Sequence, residues 1–445
     1  VQERTVSKSI WKSHRDALAA RLRDAVAVVF AAPEQIRNND VHHDYRQDSD
    51  FFYLTGCEEP ECVLVIAPHR AVGDQTALFL RTKDPEREVW DGERIGVDAA
   101  PGVLGVDKAF PIAKLAELLP EWLKGARKIN HAFGRWPAQD ALVTDAMNAA
   151  ARIHRRLGHD TPSEWVLPEE LLWEQRLIKT PESIDAMRRA AELAAVGHRR
   201  AMAVGRPGVF EYQLQAAMEY EWMVRGSRRT AYSSIVGSGP NACVLHYRDN
   251  GRQTQAGDLV LIDAGCELEY FASDITRTWP VSGKFTAPQR EIYRLVLAAQ
   301  KASIAHCRRG HTFQAVHDAT VQVLTAGLVE LGLLQGTVEA CIASEAYKRF
   351  YMHRTSHWLG MDVHDVGRYR LSGASRTLEP GMVLTVEPGI YISPRDESVP
   401  ERYRGIGIRI EDDVLVTTGE PDVLSANAPK ELDELEALIG TSTLA

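Results

Sequence analysis

The sequence predicts an α/β domain followed by an α+β domain that carries the chemistry. Three observations predict it. The chain has 445 residues, long for one core and comfortable for two. Apolar strand-like runs alternate with helical patterns through the first third, which suggests an α/β arrangement. Beyond about residue 175, a block of two helices followed by strands occurs twice, the pattern of a pseudo-twofold internal repeat.

LAARLRDA reads as a helix, and AVAVVFAAP as a buried strand ended by Pro33. CVLVIAP and TALFLRT read as further strands, and LAELLPEWLKG as a helix with Gly125 near its end. GHDTPSEWVLP turns polar and proline-bearing, and LPEELLWEQRLIK reads as a connecting helix. The expected domains are therefore 1–174 and 175–445. A long helix should start at Thr180-Pro181-Glu182, with Thr180 as N-cap, Pro181 in the first turn and Glu182 favoured by the helix dipole. A second runs from Phe210 to about Arg225 and stops at Gly226. Strands then dominate to about 282, helices cover roughly 287–308 and 312–332, and loops and strands continue to about 418. KELDELEALIG closes as a short amphipathic helix.

Composition narrows the function. A net charge of -9 and a pI near 6.0 argue against a nucleic-acid partner, which would call for a basic surface. No run reaches the roughly 18 apolar residues of a membrane helix, and the first residues show no apolar signal core. The 6 cysteines form no C-x-x-C pair, so they read as reduced packing residues of a cytoplasmic protein.

Chemistry starts at DLVLIDAGCELEYFASDITRTWPVSG, two strands around a tight turn. If the turn falls near Leu268-Glu269, Asp263 and Asp274 lie roughly opposite each other on one face. Two carboxylates facing each other on an apolar strand repel. Either a positive group sits between them, a divalent metal pair for example, or one is protonated, or one lies in an exposed turn. HRTSHWLGMDVHDVG carries His353, His357 and His364 beside Trp358 and Asp365; Gly360 and Gly367 argue for a loop. A structural role for one of these histidines stays open. GMVLTVEPGIYI puts Glu387 at the end of an apolar strand, where a carboxylate is costly unless paired or metal-bound. GIGIRIEDDVLVT alternates, so Arg409 and Glu411 share a face; taken alone, an ordinary Arg–Glu pair beside a half-exposed strand is the better reading of these two. Together, two Asp, one or more His and two Glu make an oxygen-rich set that suits Mn²⁺, Mg²⁺ or Ca²⁺ better than a structural zinc. Five donors suit a bridged pair of ions about 3.5–4 Å apart.

The ordered set Asp263, Asp274, His357, Glu387 and Glu411 resembles the ligand set of the pita-bread metallopeptidases. SHWLGMDVHDVG, TVEPGIYI, GIGIRIEDD and the early stretch RNNDVHHDYRQDSDFFYLTGCEEPECVLVI look most like aminopeptidase P, and the resemblance spans essentially the whole chain. It implies a pita-bread catalytic domain over 175–445 and a first domain serving oligomerisation and substrate access. It implies hydrolysis of an N-terminal Xaa-Pro bond by a water or hydroxide between two divalent ions, Mn²⁺ first, with Zn²⁺, Co²⁺ or Mg²⁺ as alternatives. Asp263 would chelate one metal, His357 and Glu387 the other, and Asp274 and Glu411 would bridge. Glu387 would also be the general base. His246 would contact the substrate near the scissile bond, and His364 would stabilise the tetrahedral intermediate. His353 and Arg409 would line the proline side, with Tyr391 close by. Asp40 and Trp90 would reach a neighbouring subunit's pocket in a homodimer or homotetramer. The chain departs from many relatives in carrying Arg354 where they have glycine, which would narrow the mouth, bind a peptide carboxylate or point to solvent. The alternatives are a prolidase restricted to Xaa-Pro dipeptides and a relative of the same fold working without metals, which would typically lack several of the five donors.

Overall fold

The computed structural model describes residues 8–444. The chain forms two compact units, one ending at Gln175 and the other starting at Arg176.

The first unit is built on a six-stranded sheet in the order Lys108–Pro111, Thr76–Leu80, Val63–Ile66, Ala25–Phe30, Lys128–Asn130 and Glu164–Val166. Ala25–Phe30 runs antiparallel to Val63–Ile66 and parallel to Lys128–Asn130. Val26, Val28, Val65 and Phe79 from the strands pack with Leu119 and Trp122 of the helix Leu115–Trp122. Mixed pairing with helices as crossovers is what the alternating apolar runs require. Asp40 lies in the turn between Ile36–Asn38 and Val41–His42, and Trp90, 84% exposed, sits on the helix Pro85–Asp91. The segment LPEELLWEQRLIK is not one helix. A 3-10 turn, Pro168–Glu170, precedes the short helix Leu172–Leu177, because Leu171 departs from helical backbone angles.

The second unit begins with Pro181–Val204, whose first turn is fixed as its sequence demands: Thr180 Oγ1 accepts the Ser183 N–H. This helix packs on Glu211–Met223. Ala287–Ile304 and Phe313–Glu330 form the second helical pair. The former ends earlier than its sequence pattern suggests, at Ile304, with Ala305 as its C-cap. Between and after the helices lie small antiparallel sheets. One holds Ile235–Ser238, Leu259–Asp263 and Thr276–Pro280; another holds Val383–Val386, Asp412–Leu415 and Asp422–Val423; a third pairs Gly389–Tyr391 with Gly407–Arg409. A bridge between Thr276 and Glu411 joins the two halves of the unit. Among the described residues, no helix is long and apolar enough to cross a membrane.

Candidate metal centre

Register places the first two carboxylates. The turn falls at Glu269-Tyr270, both at positive φ, one position later than expected. Asp263 therefore pairs with Thr276, and Asp274 lies two positions along the same face, a diagonal neighbour and not an opposite one. The crossing is tight: a Cβ on Gly265 would sit 1.7 Å from the Ser273 carbonyl oxygen, so only glycine fits there. Asp274 is held from behind, its N–H 3.2 Å from both carboxylate oxygens of the buried Asp413.

The later donors arrive on neighbouring strands. Glu411 donates its N–H to the Thr276 carbonyl at 3.1 Å, and its carboxylate accepts the Thr276 hydroxyl at 2.6 Å. Glu387 follows Val383–Val386 and ties back to the Thr355 carbonyl through its N–H at 2.8 Å. The histidine stretch is irregular, as its glycines suggest, and Thr385 clamps it: the His357 N–H donates to Thr385 Oγ1 and the Thr385 N–H to the His357 carbonyl. His357 Nδ1 lies 3.0 Å from the Trp358 carbonyl, which can only accept, so a proton sits there and Nε2 is the nitrogen turned toward the carboxylates. That Nε2 is 3.3 Å from Asp274 and 3.8 Å from Glu387.

Asp274, His357 and Glu411 each offer a ligand atom, all within 4.8 Å of one another. Burial drives the Glu411 carboxyl well above the usual range, and Asp274, Glu387 and Asp263 drive it further. Burial likewise raises Asp274, and it pushes Glu387 up to about 7 against the pull of His357 and Arg409. For His357 burial opposes the charge, yet Asp274 and Glu387 outweigh it and push the imidazole up to about 9. Four crowded carboxylates and one imidazole, with no thiolate, fit hard divalent cations, which would relieve both the repulsion and the burial cost.

The surrounding groups form a relay beside the carboxylates. Arg409, buried, donates to Asp263 at 2.5 Å, to Thr276 Oγ1 at 3.1 Å and to the Tyr391 hydroxyl at 2.8 Å. Tyr391 in turn lies 2.9 Å from His353 Nε2. Burial, then Arg409, pull His353 down to about 4, so its ring is neutral. Arg409 keeps its place because Gly407, on the same strand, lets that strand approach the chain at Ala242; a Cβ there would meet the Ala242 carbonyl oxygen at 2.2 Å. His364 stands edge-on to His357 at 4.4 Å between centroids, and burial, then His357, lower its pKa. His246 and His364 are exposed at the same cavity of about 720 Å³, which the five candidate ligands, His353 and Arg409 also line. Tyr391 reaches this group through its hydroxyl bonds to Arg409 and His353. Tyr232 was not singled out by the sequence, yet its hydroxyl lies 2.5 Å from both Asp263 and Asp274. It precedes the strand Ile235–Ser238 in a loop with no periodic signal, so its position follows from tertiary structure alone. Arg354 is exposed, lines the cavity and donates to Gln314 at 2.7 Å.

A cavity that gathers this donor set beside an ordered arginine and three histidines defines a metal-dependent hydrolase. Residues 185–418 match metallopeptidase family M24, and residues 11–130 match the aminopeptidase P N-terminal domain. The chain is 45% identical to the Xaa-Pro aminopeptidase of Escherichia coli (strain K12), covering 98% of each sequence. It is 43% identical to the Xaa-Pro aminopeptidase of Haemophilus influenzae over 97% of each. Among solved structures, a Pseudomonas aeruginosa aminopeptidase superposes with a TM-score of 0.94 at 51% identity, covering 97% of this chain and 98% of that one. A zinc-substituted E. coli aminopeptidase P in complex with product gives 0.93 at 45% identity over the same shares. The chain belongs to metallopeptidase family M24, with the pita-bread catalytic fold and a preceding aminopeptidase P-type domain.

Proposed function

We propose that this protein is an aminopeptidase that removes the residue in front of an N-terminal Xaa-Pro bond, working with two divalent metal ions. One observation carries the reading: Asp263, Asp274, His357, Glu387 and Glu411 line one cavity. The relatives' activity favours the aminopeptidase over a prolidase, since the likeness to Xaa-Pro aminopeptidases extends over 98% of the chain.

The five donors would hold the ions. When bound, the ions supply Lewis acidity toward the scissile carbonyl and a water acidic enough to react near neutral pH. The protein's own groups supply the rest. Glu387, which ends its apolar strand at the cavity, accepts the proton of the attacking water and passes it to the leaving proline nitrogen. His246 and His364, exposed at the cavity, hold the substrate and the developing oxyanion. Arg409 and His353 form the wall against the proline ring, with the Tyr391 hydroxyl bonded to both, and the substrate amine faces Asp263. A tertiary Xaa-Pro amide has no N–H, so a site that grips the carbonyl and the ring accepts a bond that N–H-dependent peptidases leave alone. The oxygen-rich donor set and the absence of a thiolate among the five support manganese as the ion. The free cysteines, none paired among the described residues, support a reducing cytoplasmic setting. A homodimer or homotetramer built on the first unit, with Asp40 and Trp90 reaching a neighbouring pocket, completes the proposal.

The test is hydrolysis of Xaa-Pro-Yaa and Xaa-Pro in parallel, on metal-stripped protein with Mn²⁺ returned. Release of Xaa from the tripeptide, with the dipeptide slower, is expected. Cleavage of the dipeptide alone would make it a prolidase, and cleavage of neither would refute both readings.

A further inference from the structure

The cavity is electrically polarised. One end holds the four carboxylates. The solvent end carries three exposed guanidinium groups, Arg248, Arg354 and Arg370, each lining the same space. None of the three has an ion-pair partner among the described residues. Arg354 is tied to the neutral Gln314 and Arg370 to the Gly373 carbonyl at 3.2 Å. Gln314 also organises this rim, since its N–H donates to Ser375 Oγ at 2.9 Å and fixes the hairpin Arg370–Leu371/Ala374–Ser375 beside the first turn of Phe313–Glu330. Arg354 follows directly on His353, and Arg248 lies two residues beyond His246, so both cations are anchored to groups that face the substrate.

An N-terminal peptide has the opposite polarity: a cationic amine that enters first and an anionic group that trails. We infer that Arg248 and Arg354, with Arg370 beside them, form a carboxylate subsite for the residue after proline, so that this chain prefers substrates with a negative charge there. This rests on the aminopeptidase reading. The charge comes from the terminal carboxylate of a tripeptide or from an Asp or Glu side chain in a longer peptide. A guanidinium without a competing acid offers its paired N–H donors to either. Because the rim is exposed, the preference is modest, about three- to tenfold in kcat/KM at low salt, and shrinks as salt screens it.

Four substrates test this on the metal-loaded enzyme: Ala-Pro-Ala, Ala-Pro-Ala-amide, Ala-Pro-Glu-amide and Ala-Pro-Gln-amide. The expected result is faster cleavage of the free acid than its amide, of the Glu peptide than the Gln peptide, or both; which pair separates identifies the source of the charge. In R248Q/R354Q these ratios should fall to about one, while R354K should keep them. Equal rates for all four in the wild type, or ratios that survive R248Q/R354Q, overturn the subsite and leave the aminopeptidase reading standing. Cleavage of none by the wild type overturns that reading, and the subsite with it.

Discussion

Arg277 is fully buried and does not itself line the cavity. Its guanidinium donates to the Asp412 carboxylate at 2.7 Å, to the backbone carbonyls of Glu411 at 2.6 Å and Thr276 at 2.9 Å, and to those of Ala428 and Pro429. It thus spans the bridge on which Glu411 rests. Arg277→Met keeps the length and removes every donor. Several buried acceptors then lose a partner, at about 1 kcal/mol or more each, and Asp412 keeps only Lys430, Gln300 and Ser425. Breaking one side of a buried pair costs about 3–5 kcal/mol, a large part of a typical total. Urea unfolding of metal-free protein, followed by tryptophan fluorescence, should show a loss of this size. Calorimetric Mn²⁺ titration of the folded variant should show weaker binding, by about 10–100-fold, as expected when a ligand's supporting contacts go. Arg277→Met with Asp412→Leu should recover part of the stability without restoring metal affinity. A loss below about 1 kcal/mol with unchanged Mn²⁺ affinity would refute the account of Glu411's placement.

Three further outcomes are expected. Asp274→Ala or Glu411→Ala should abolish Mn²⁺-induced thermal stabilisation and lower kcat/KM by at least about 100-fold, checked by melting curves with and without Mn²⁺ and by peptide hydrolysis. Gly407→Ala should cost about 1–3 kcal/mol, since its Cβ would overlap the Ala242 carbonyl oxygen, and should raise KM for proline peptides by shifting Arg409; denaturation and steady-state kinetics read the two effects. His198 is buried, and burial pulls it down to about 4 although it bonds to the Ala264 carbonyl. Its unfolded form binds a proton below about 6.5. The folded form stays neutral to about 4, so stability present above 6.5 falls as the pH drops through this window, by up to about 3 kcal/mol. His198→Gln should flatten that limb of the stability–pH curve measured by urea titration.

Much of this was legible from residue order alone, for identifiable reasons. The strand LVLID shows its burial as an unbroken apolar run, and Thr180-Pro181-Glu182 carries its cap chemistry on its face. Asp263 and Glu387 stand out because a carboxylate ending an apolar strand must be answered by something, whereas Glu411, in an alternating strand beside Arg409, stands out only through the resemblance. Tyr232, Asp413 and Arg277 did not stand out, because each acts on a segment far away in the chain and sits in no pattern of its own. The hairpin turns one position later than its sequence pattern suggests because Glu269 and Tyr270 both adopt positive φ, a backbone choice their identities do not advertise. Leu171 likewise broke an apparent helix through its backbone angles and not its type.

The bridge between Thr276 and Glu411 also carries a message about how the molecule is made. Two of the candidate ligands, Asp263 and Asp274, leave the ribosome early on one hairpin, but His357, Glu387 and Glu411 follow only after both helices of the second pair. A growing chain therefore exposes two acids long before their companions exist, and contacts this distant in sequence close slowly. Metal has no complete cradle to nucleate around. Loading is a finishing step on a nearly folded body, so a chain stopped before Glu411 should emerge as a client for chaperones and not as a weak enzyme.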